Sequence, residues 1–259
     1  GMESILTIFE AIILGVIQGV TEFLPISSSG HLVIAQEILG MNPPGNLIEV
    51  ATHLGTLISV ITIYKNDIFN VLSDFIFSKN RKFVFFLLIA TIPSILFGLG
   101  GRSIILSLFE STKMVSVCLI ITGLILLSSN RIYKSESTFN LRNSFLIGIS
   151  QAFAILPGIS RSGMTITIGM MLGISSKEAA RFSFLLAIPV ICGAGILTAL
   201  EPIPESAKLK FETLLTAFLT SFLVGFFCLK WLLKILAKGK FHLFGYYCII
   251  IGVLTIIIF

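Results

Sequence analysis

The chain is built of long apolar runs separated by short polar breaks, and the run lengths predict its elements. Six stretches, about 49–64, 83–100, 114–130, 182–200, 213–229 and 243–259, reach or approach the roughly 17–25 mostly apolar residues that a helix needs to cross a bilayer. Two further apolar regions are broken. One runs over 5–39 and is interrupted between Glu22 and His31. The other runs over 143–176 and is interrupted at "PGISRSG", residues 157–163. Each reads as two short helices joined by a polar tip. Irregular backbone inside lipid is tolerated only where protein or a water-filled cavity surrounds it. The pattern therefore predicts two re-entrant hairpins in preference to four short ordinary spans.

Composition agrees with this reading. The 259 residues are 55% hydrophobic and 12% charged, against about 25% charged in an ordinary soluble domain. The mean hydropathy is +1.02. Too little polar surface exists to coat a globule in water, so the chain is read as an integral membrane protein. Gly1 ahead of Met2 is read as a cloning scar. The first apolar segment contains Glu10 and is preceded by Glu3, without a basic leader, so it is read as part of the protein and not as a signal peptide. Cys118, Cys192, Cys228 and Cys248 are far apart in apolar runs, which fits packing and shows no disulfide or metal spacing.

The two broken regions resemble each other. "GVIQGVTEFLPISSSG" covers 15–30 and "GISQAFAILPGISRSG" covers 148–163. At one constant offset Gly15 matches Gly148, Gln18 matches Gln151, Ser27 matches Ser160, Ser29 matches Ser162 and Gly30 matches Gly163, while Pro25 and Pro157 are out of register by one. This predicts an internal duplication within a single membrane domain (2–259): repeat 1 over about 2–130 and repeat 2 over about 140–259. A hairpin returns to its starting side and three spans do not, so the second copy is inverted. The expected fold is an all-α polytopic membrane protein of two inverted-topology repeats, with six transmembrane helices plus two re-entrant helical hairpins whose broken helices meet near the midplane.

Charge orients it. Lys65, Lys79, Arg81, Lys82, Arg131, Lys134, Arg142, Lys177, Arg181, Lys234, Lys238 and Lys240 crowd one set of loops. The opposite set has Arg102, Lys113, Lys208 and Lys210 beside Glu201, Glu205 and Glu212. The basic side is expected to be cytoplasmic, which places both termini outside. The net charge of +5 is accounted for by anionic lipid and calls for no nucleic-acid partner.

Polar chemistry inside a bilayer is costly and by default functional. Gln18 and Glu22 lie four residues apart on one helix face. Ser27, Ser28 and Ser29 follow Pro25, Gly30 permits close approach, and His31 is expected to open the next short helix. A hydroxyl beside a carboxylate and an imidazole can form an activated nucleophile. Arg161, between Ser160 and Ser162 and followed by Gly163 and Thr165, offers a guanidinium at a helix start, a suitable phosphate cradle. The repeat frame sets Arg161 opposite Ser28 and Ile155 opposite Glu22, so the two tips share a backbone pattern and differ in chemistry. Plainer roles stand beside these. The serines can cap the helix, Glu22 can pair with Arg161 as structural glue, and His31 can pack. His53 in its apolar span reads as structural. Pro93 and Pro189 read as kinks, and Arg181 as an interfacial anchor.

"QGVTEFLPISSSGH" and "LPGISRSGMT" closely resemble the two signature motifs of the undecaprenyl-diphosphate phosphatases of the bacitracin-resistance type, and the resemblance runs along the chain through "FSFLLAIP" at 182–189. It implies hydrolysis of undecaprenyl diphosphate to undecaprenyl phosphate and inorganic phosphate, which recycles the lipid carrier of cell-wall synthesis. It also implies support by a divalent cation (Mg²⁺ or Ca²⁺), a homodimer, and a site opening to the outer side of the bacterial plasma membrane. Carried over by position, Ser28 matches the nucleophile, His31 the histidine, Glu22 the second acidic position and a metal anchor, and Arg161 the essential arginine. Ser27, Ser29, Ser160, Ser162, Gly163, Thr165 and Gln18 are expected around the substrate, a long-chain polyprenyl diphosphate lipid. Gln18 stands where other members have Glu, leaving one carboxylate in the first motif. The competing class is a transporter of lipid phosphate or a small anion, which has no need of a nucleophile with a base. A catalytically dead scaffold would not need intact motifs.

Overall fold

The computed structural model describes residues 6–41, 46–78, 81–101, 111–131, 137–199 and 209–259. Of the charges used to orient the chain, Lys79, Arg102, Lys134, Glu201, Glu205 and Lys208 lie outside the described residues, as does Glu3.

Both broken regions fold as helix–turn–helix pairs. α1 (Ile8–Phe23) opens on a reciprocal cap in which Thr7 Oγ1 accepts from Glu10 N–H at 3.2 Å and the Glu10 carboxylate accepts from Thr7 N–H at 2.7 Å. It stops before Pro25, which disfavours helical backbone at the preceding residue. α2 (Ser28–Leu39) follows, capped by Ser27, whose Oγ accepts from Gly30 N–H at 3.2 Å. This helix starts earlier than expected: Ser28 is its first residue, and His31 lies one turn in rather than at the opening. In the other region Asn140 caps α7 (Leu141–Phe153) and Ser160 caps α8 (Arg161–Met171) through Gly163 N–H at 3.1 Å.

The six apolar stretches are all helical, as α3 (Leu47–Ile63), α5 (Lys82–Gly100), α6 (Thr112–Ser128), α9 (Ser176–Ala199), α10 (Phe211–Ala237) and α11 (Leu243–Ile258). Of these, α5, α9 and α10 are each long and apolar enough to cross a membrane alone. α4 (Lys65–Ser73), where the sequence reading had a loop, turns 74° away from α3 and buries none of its residues. Pro93 and Pro189 lie inside α5 and α9, each of which runs through as one helix.

The polarity of the packing is that of a membrane protein. Leu88, Ile92 and Leu96 of α5, Leu219, Leu223 and Phe227 of α10, and Ile250, Leu254 and Ile257 of α11 are exposed. Gln18, Thr52, Thr56, Ser59, Ser116, Thr122, Gln151, Ser183 and Ser221 are buried between helices. Small residues bring the helices close and hydroxyls bond across them: Ser221 Oγ donates to Thr52 O at 2.9 Å, and Ser59 Oγ to Phe222 O at 2.8 Å.

The contacts cross over between the halves. α1 lies along α10 and α7 lies along α5, while α6 packs on α11 and α3 on α9. The matched glycines mark this crossing. A Cβ on Gly15 would meet Ala217 O at 3.0 Å, and one on Gly148 would meet Ala90 Cα at 2.7 Å. A side chain at Gly148 has backbone in its way, so Gly148→Leu is expected to destabilise the protein by about 1–3 kcal/mol through overpacking. A lowered unfolding temperature in detergent, beside an unchanged Gly193→Leu control in open space, is the check.

Candidate functional site

The two hairpin tips touch, and the touching surface is the candidate site. Gly158, at φ +96°, donates its N–H to Ser27 Oγ at 3.2 Å. A Cβ on Gly30 would lie 3.0 Å from Gly158 Cα. Ser162 Oγ donates to Phe23 O across the same contact at 3.1 Å. Behind the tips, Thr122 of α6 donates to Gly158 O at 2.8 Å and accepts from Ser160 N–H at 3.1 Å, and Cys248 of α11 reaches Pro25 O at 3.7 Å. Ser27 has φ +68°, and among the described residues it is the one non-glycine with positive φ. Such backbone costs about 1–3 kcal/mol and persists only where its surroundings hold it. Here two N–H groups converge on its hydroxyl.

Glu22 is the hub. Its Oε1 accepts from Arg161 Nη2 at 2.9 Å, and its Oε2 accepts from Ser28 Oγ at 2.8 Å and from Gln18 Nε2 at 3.0 Å. The Arg161 and Glu22 side chains are 14% and 8% exposed, so the pair is screened little by solvent. Arg161 Nη1 donates to Ser183 O at 3.2 Å. Among the described residues, two of its five N–H donors are thus committed to protein. Thr165 Oγ1 donates to Arg161 O at 2.9 Å and meets Ser183 Oγ at 2.6 Å.

Glu22, Ser28 and Arg161 therefore converge, joined by Gln18. The remaining expected residues sort by exposure. Ser27, Ser160, Ser162 and Thr165 are buried, with their hydroxyls spent on caps and cross-helix bonds, and Gly163 is buried behind them. Ser28, Ser29, His31, Glu22 and Arg161 are partly accessible. His31 makes no hydrogen bond to the hydroxyl of Ser28; both its ring nitrogens have other partners. Its Nδ1 donates to Ser27 O at 2.9 Å, which leaves Nε2 to accept from Tyr247 OH at 2.9 Å, with the two rings stacked 5.6 Å apart. Tyr247 was not singled out from the sequence, because an aromatic in "FGYYCIIIG" reads as packing. Tyr247→Phe keeps the stack and removes one donor. It is expected to lower kcat by about 2–10-fold, the worth of one ordinary hydrogen bond, in a steady-state assay. Arg181 is away from the centre, paired with Asp67 at 2.7 Å and Glu178 at 3.3 Å.

Serine on carboxylate on guanidinium, buried in a bundle whose outer face is apolar, defines a polytopic membrane protein with the machinery of an enzyme. The chain belongs to the family described as Bacitracin resistance protein BacA, whose model matches residues 11–254. Undecaprenyl-diphosphatase 2 of Bacillus thuringiensis (strain Al Hakam) is 39% identical over 269 residues, covering 99% of each chain. Undecaprenyl-diphosphatase of Halothermothrix orenii is 40% identical over 257 residues, covering 97% of this chain and 98% of its own. Undecaprenyl-diphosphatase of Korarchaeum cryptofilum is 40% identical over 258 residues, covering 95% and 97%.

Proposed function

We propose that this protein is an integral membrane phosphatase that hydrolyses undecaprenyl diphosphate to undecaprenyl phosphate and inorganic phosphate, recycling the lipid carrier of cell-wall synthesis and conferring bacitracin resistance. The observation that carries the mechanism is the 2.8 Å bond from Ser28 Oγ to Glu22 Oε2, with Arg161 on the other carboxylate oxygen. The free N–H groups of Arg161 bind the diphosphate while the prenyl tail stays in lipid. Ser28 Oγ attacks the terminal phosphorus and Glu22 takes its proton. The bond from phosphorus to the bridging oxygen breaks, and undecaprenyl phosphate leaves. Glu22 passes that proton to the departing undecaprenyl phosphate, then takes one from a water that attacks the phosphoserine, and returns it to Ser28 Oγ as inorganic phosphate leaves. Ser160, Ser162 and Thr165 serve by holding the Arg161 turn, Ser27 and Gly163 by shaping the tips, and Ser29 by lining the opening. His31 with Tyr247 braces the start of α2. A transporter would have no use for a hydroxyl bonded to a carboxylate base.

The residues fit a divalent cation that arrives with the diphosphate. Among the described residues Gln18 Oε1 is buried without a hydrogen-bond partner, on a side chain bonded to Glu22, and Mg²⁺ at phosphate sites is commonly held by one or two protein oxygens plus the substrate. Among the described residues no group of three or more His, Cys, Asp or Glu forms a metal cage. Glu22 and Gln18 would hold Mg²⁺ or Ca²⁺, which would supply charge neutralisation at the phosphate.

We read the architecture as two inverted repeats with re-entrant hairpins and six spans. The crossed packing and the matched contacts at Gly15 and Gly148 support this. So do the paired caps at Ser27 and Ser160. The described basic residues Lys65, Lys82, Arg142, Lys177 and Lys238 sit at or beside helix ends, which we read as lying on one side. That side is read as the cytoplasm, with the active site and both termini outside and a homodimer as the assembly. The test is phosphate release from undecaprenyl diphosphate by purified protein in detergent, with and without Mg²⁺ or Ca²⁺. Release that depends on Ser28 and Arg161 is expected. No release from folded protein with either ion would overturn the reading in favour of transport.

A further inference from the structure

His53 is a polar side chain of α3 that the scheme above does not use. It comes from a separate helix and meets the site through Gln18, whose Nε2 contacts His53 Nδ1 as well as donating to Glu22 Oε2 at 3.0 Å. A carboxamide nitrogen carries two protons, and here one goes to a carboxylate and the other to an imidazole nitrogen. An imidazole that accepts at Nδ1 is neutral, with its proton on Nε2. Pinned at both protons, the Gln18 carboxamide is fixed in orientation, with Oε1 buried and, among the described residues, without a hydrogen-bond partner.

We infer that His53 is a positioning residue of the hydrolytic site: by accepting from Gln18 it fixes the carboxamide that holds Glu22 in place to accept from Ser28. His53 makes no hydrogen bond to Ser28 or Arg161, so it acts through Gln18 and not on the reacting atoms. Remove its acceptor, and one proton of the Gln18 amide is left unpaired. The single remaining bond to Glu22 then no longer fixes the carboxamide that aligns Oε2. The charged groups around His53 are Glu22 from α1, with Arg161 of α8 beyond it, and Glu49 one turn back on α3. From α10, packed against the same stretch, come Phe218 and Ser221, neither of them charged at working pH. The charged residues Glu178 and Arg181 of α9 are paired with each other and with Asp67, near the far end of α3.

The inference rests on the Ser28–Glu22 reading and is tested so that the two can fail separately. The measurement is kcat and KM for phosphate release from undecaprenyl diphosphate, at pH 8 and fixed Mg²⁺, for wild type, His53→Gln, His53→Leu and Ser28→Ala. His53→Gln offers Gln18 another acceptor and is expected to keep kcat within about 3-fold. His53→Leu removes the acceptor and is expected to lower kcat about 10–100-fold, the usual cost of losing a supporting hydrogen bond behind a catalytic group, with KM within about 3-fold. A His53→Leu variant with wild-type kcat, or a His53→Gln variant as impaired as His53→Leu, overturns the inference. If His53→Leu does not fold, the same rescue is read from His53→Gln against His53→Ala. Wild-type turnover in Ser28→Ala would instead overturn the underlying site reading.

Discussion

Arg161→Ala lowers kcat/KM for phosphate release by about 1,000-fold or more, and it is the most damaging single change expected at this site. Two effects combine. The guanidinium is the cation aimed at the phosphate, and removing one preorganised donor set at a centre of developing charge typically costs 100–1,000-fold. The same deletion also leaves Glu22 buried without its counter-ion. Breaking a buried pair costs about 3–5 kcal/mol, and side chains 14% and 8% exposed are enclosed enough for that range to apply. Stability and chemistry are separable. Arg161→Met combined with Glu22→Gln removes the stranded charge, so the unfolding temperature recovers while activity does not. Ser160→Ala removes a helix cap, worth about 1 kcal/mol, and leaves most activity in place. Near wild-type turnover in Arg161→Ala would exclude this residue from phosphate binding.

The second large effect is at Ser28. Ser28→Ala is expected to abolish covalent turnover, with kcat down by about 10,000-fold, as in other enzymes that lose a nucleophile. Folding should hardly change. Glu22 keeps its bonds to Arg161 and Gln18, and the loss of one hydrogen bond costs about 0.5–1.5 kcal/mol. Rapid quenching of wild type with substrate labelled in the terminal phosphate should trap label on Ser28, and the variant should trap none. If Ser28→Ala retained turnover within about 10-fold, water would be the attacking oxygen and Ser28 only its holder.

Much of this was legible locally. Two broken apolar regions fold as two pairs of short helices joined by turns, because run length, proline and serine act over a turn or two of chain. Gln18 and Glu22 share a face by helical spacing alone, and the structure joins them at 3.0 Å. The pairing of Glu22 with Arg161, 139 residues apart, was one of the plainer roles open to these residues, and the repeat frame by itself set Arg161 opposite Ser28. α4 was missed because no buried face marks it.

The sequence by itself determined the class of protein, the helices, their caps and the list of polar residues at the tips, since all of these depend on composition and short-range spacing. Only the tertiary structure decided how that list divides. It turned Ser27, Ser160, Ser162 and Thr165 inward, with Ser27 and Ser162 joining the two helix pairs, left Ser28 partly open, gave the Ser28 hydroxyl to Glu22 and gave His31 to Tyr247. It also made His53 a partner of Gln18. The physical reason is direction. Neighbouring hydroxyls on one short helix point to different sides, and which side is core, partner or opening is set by helices from distant parts of the chain packing against them.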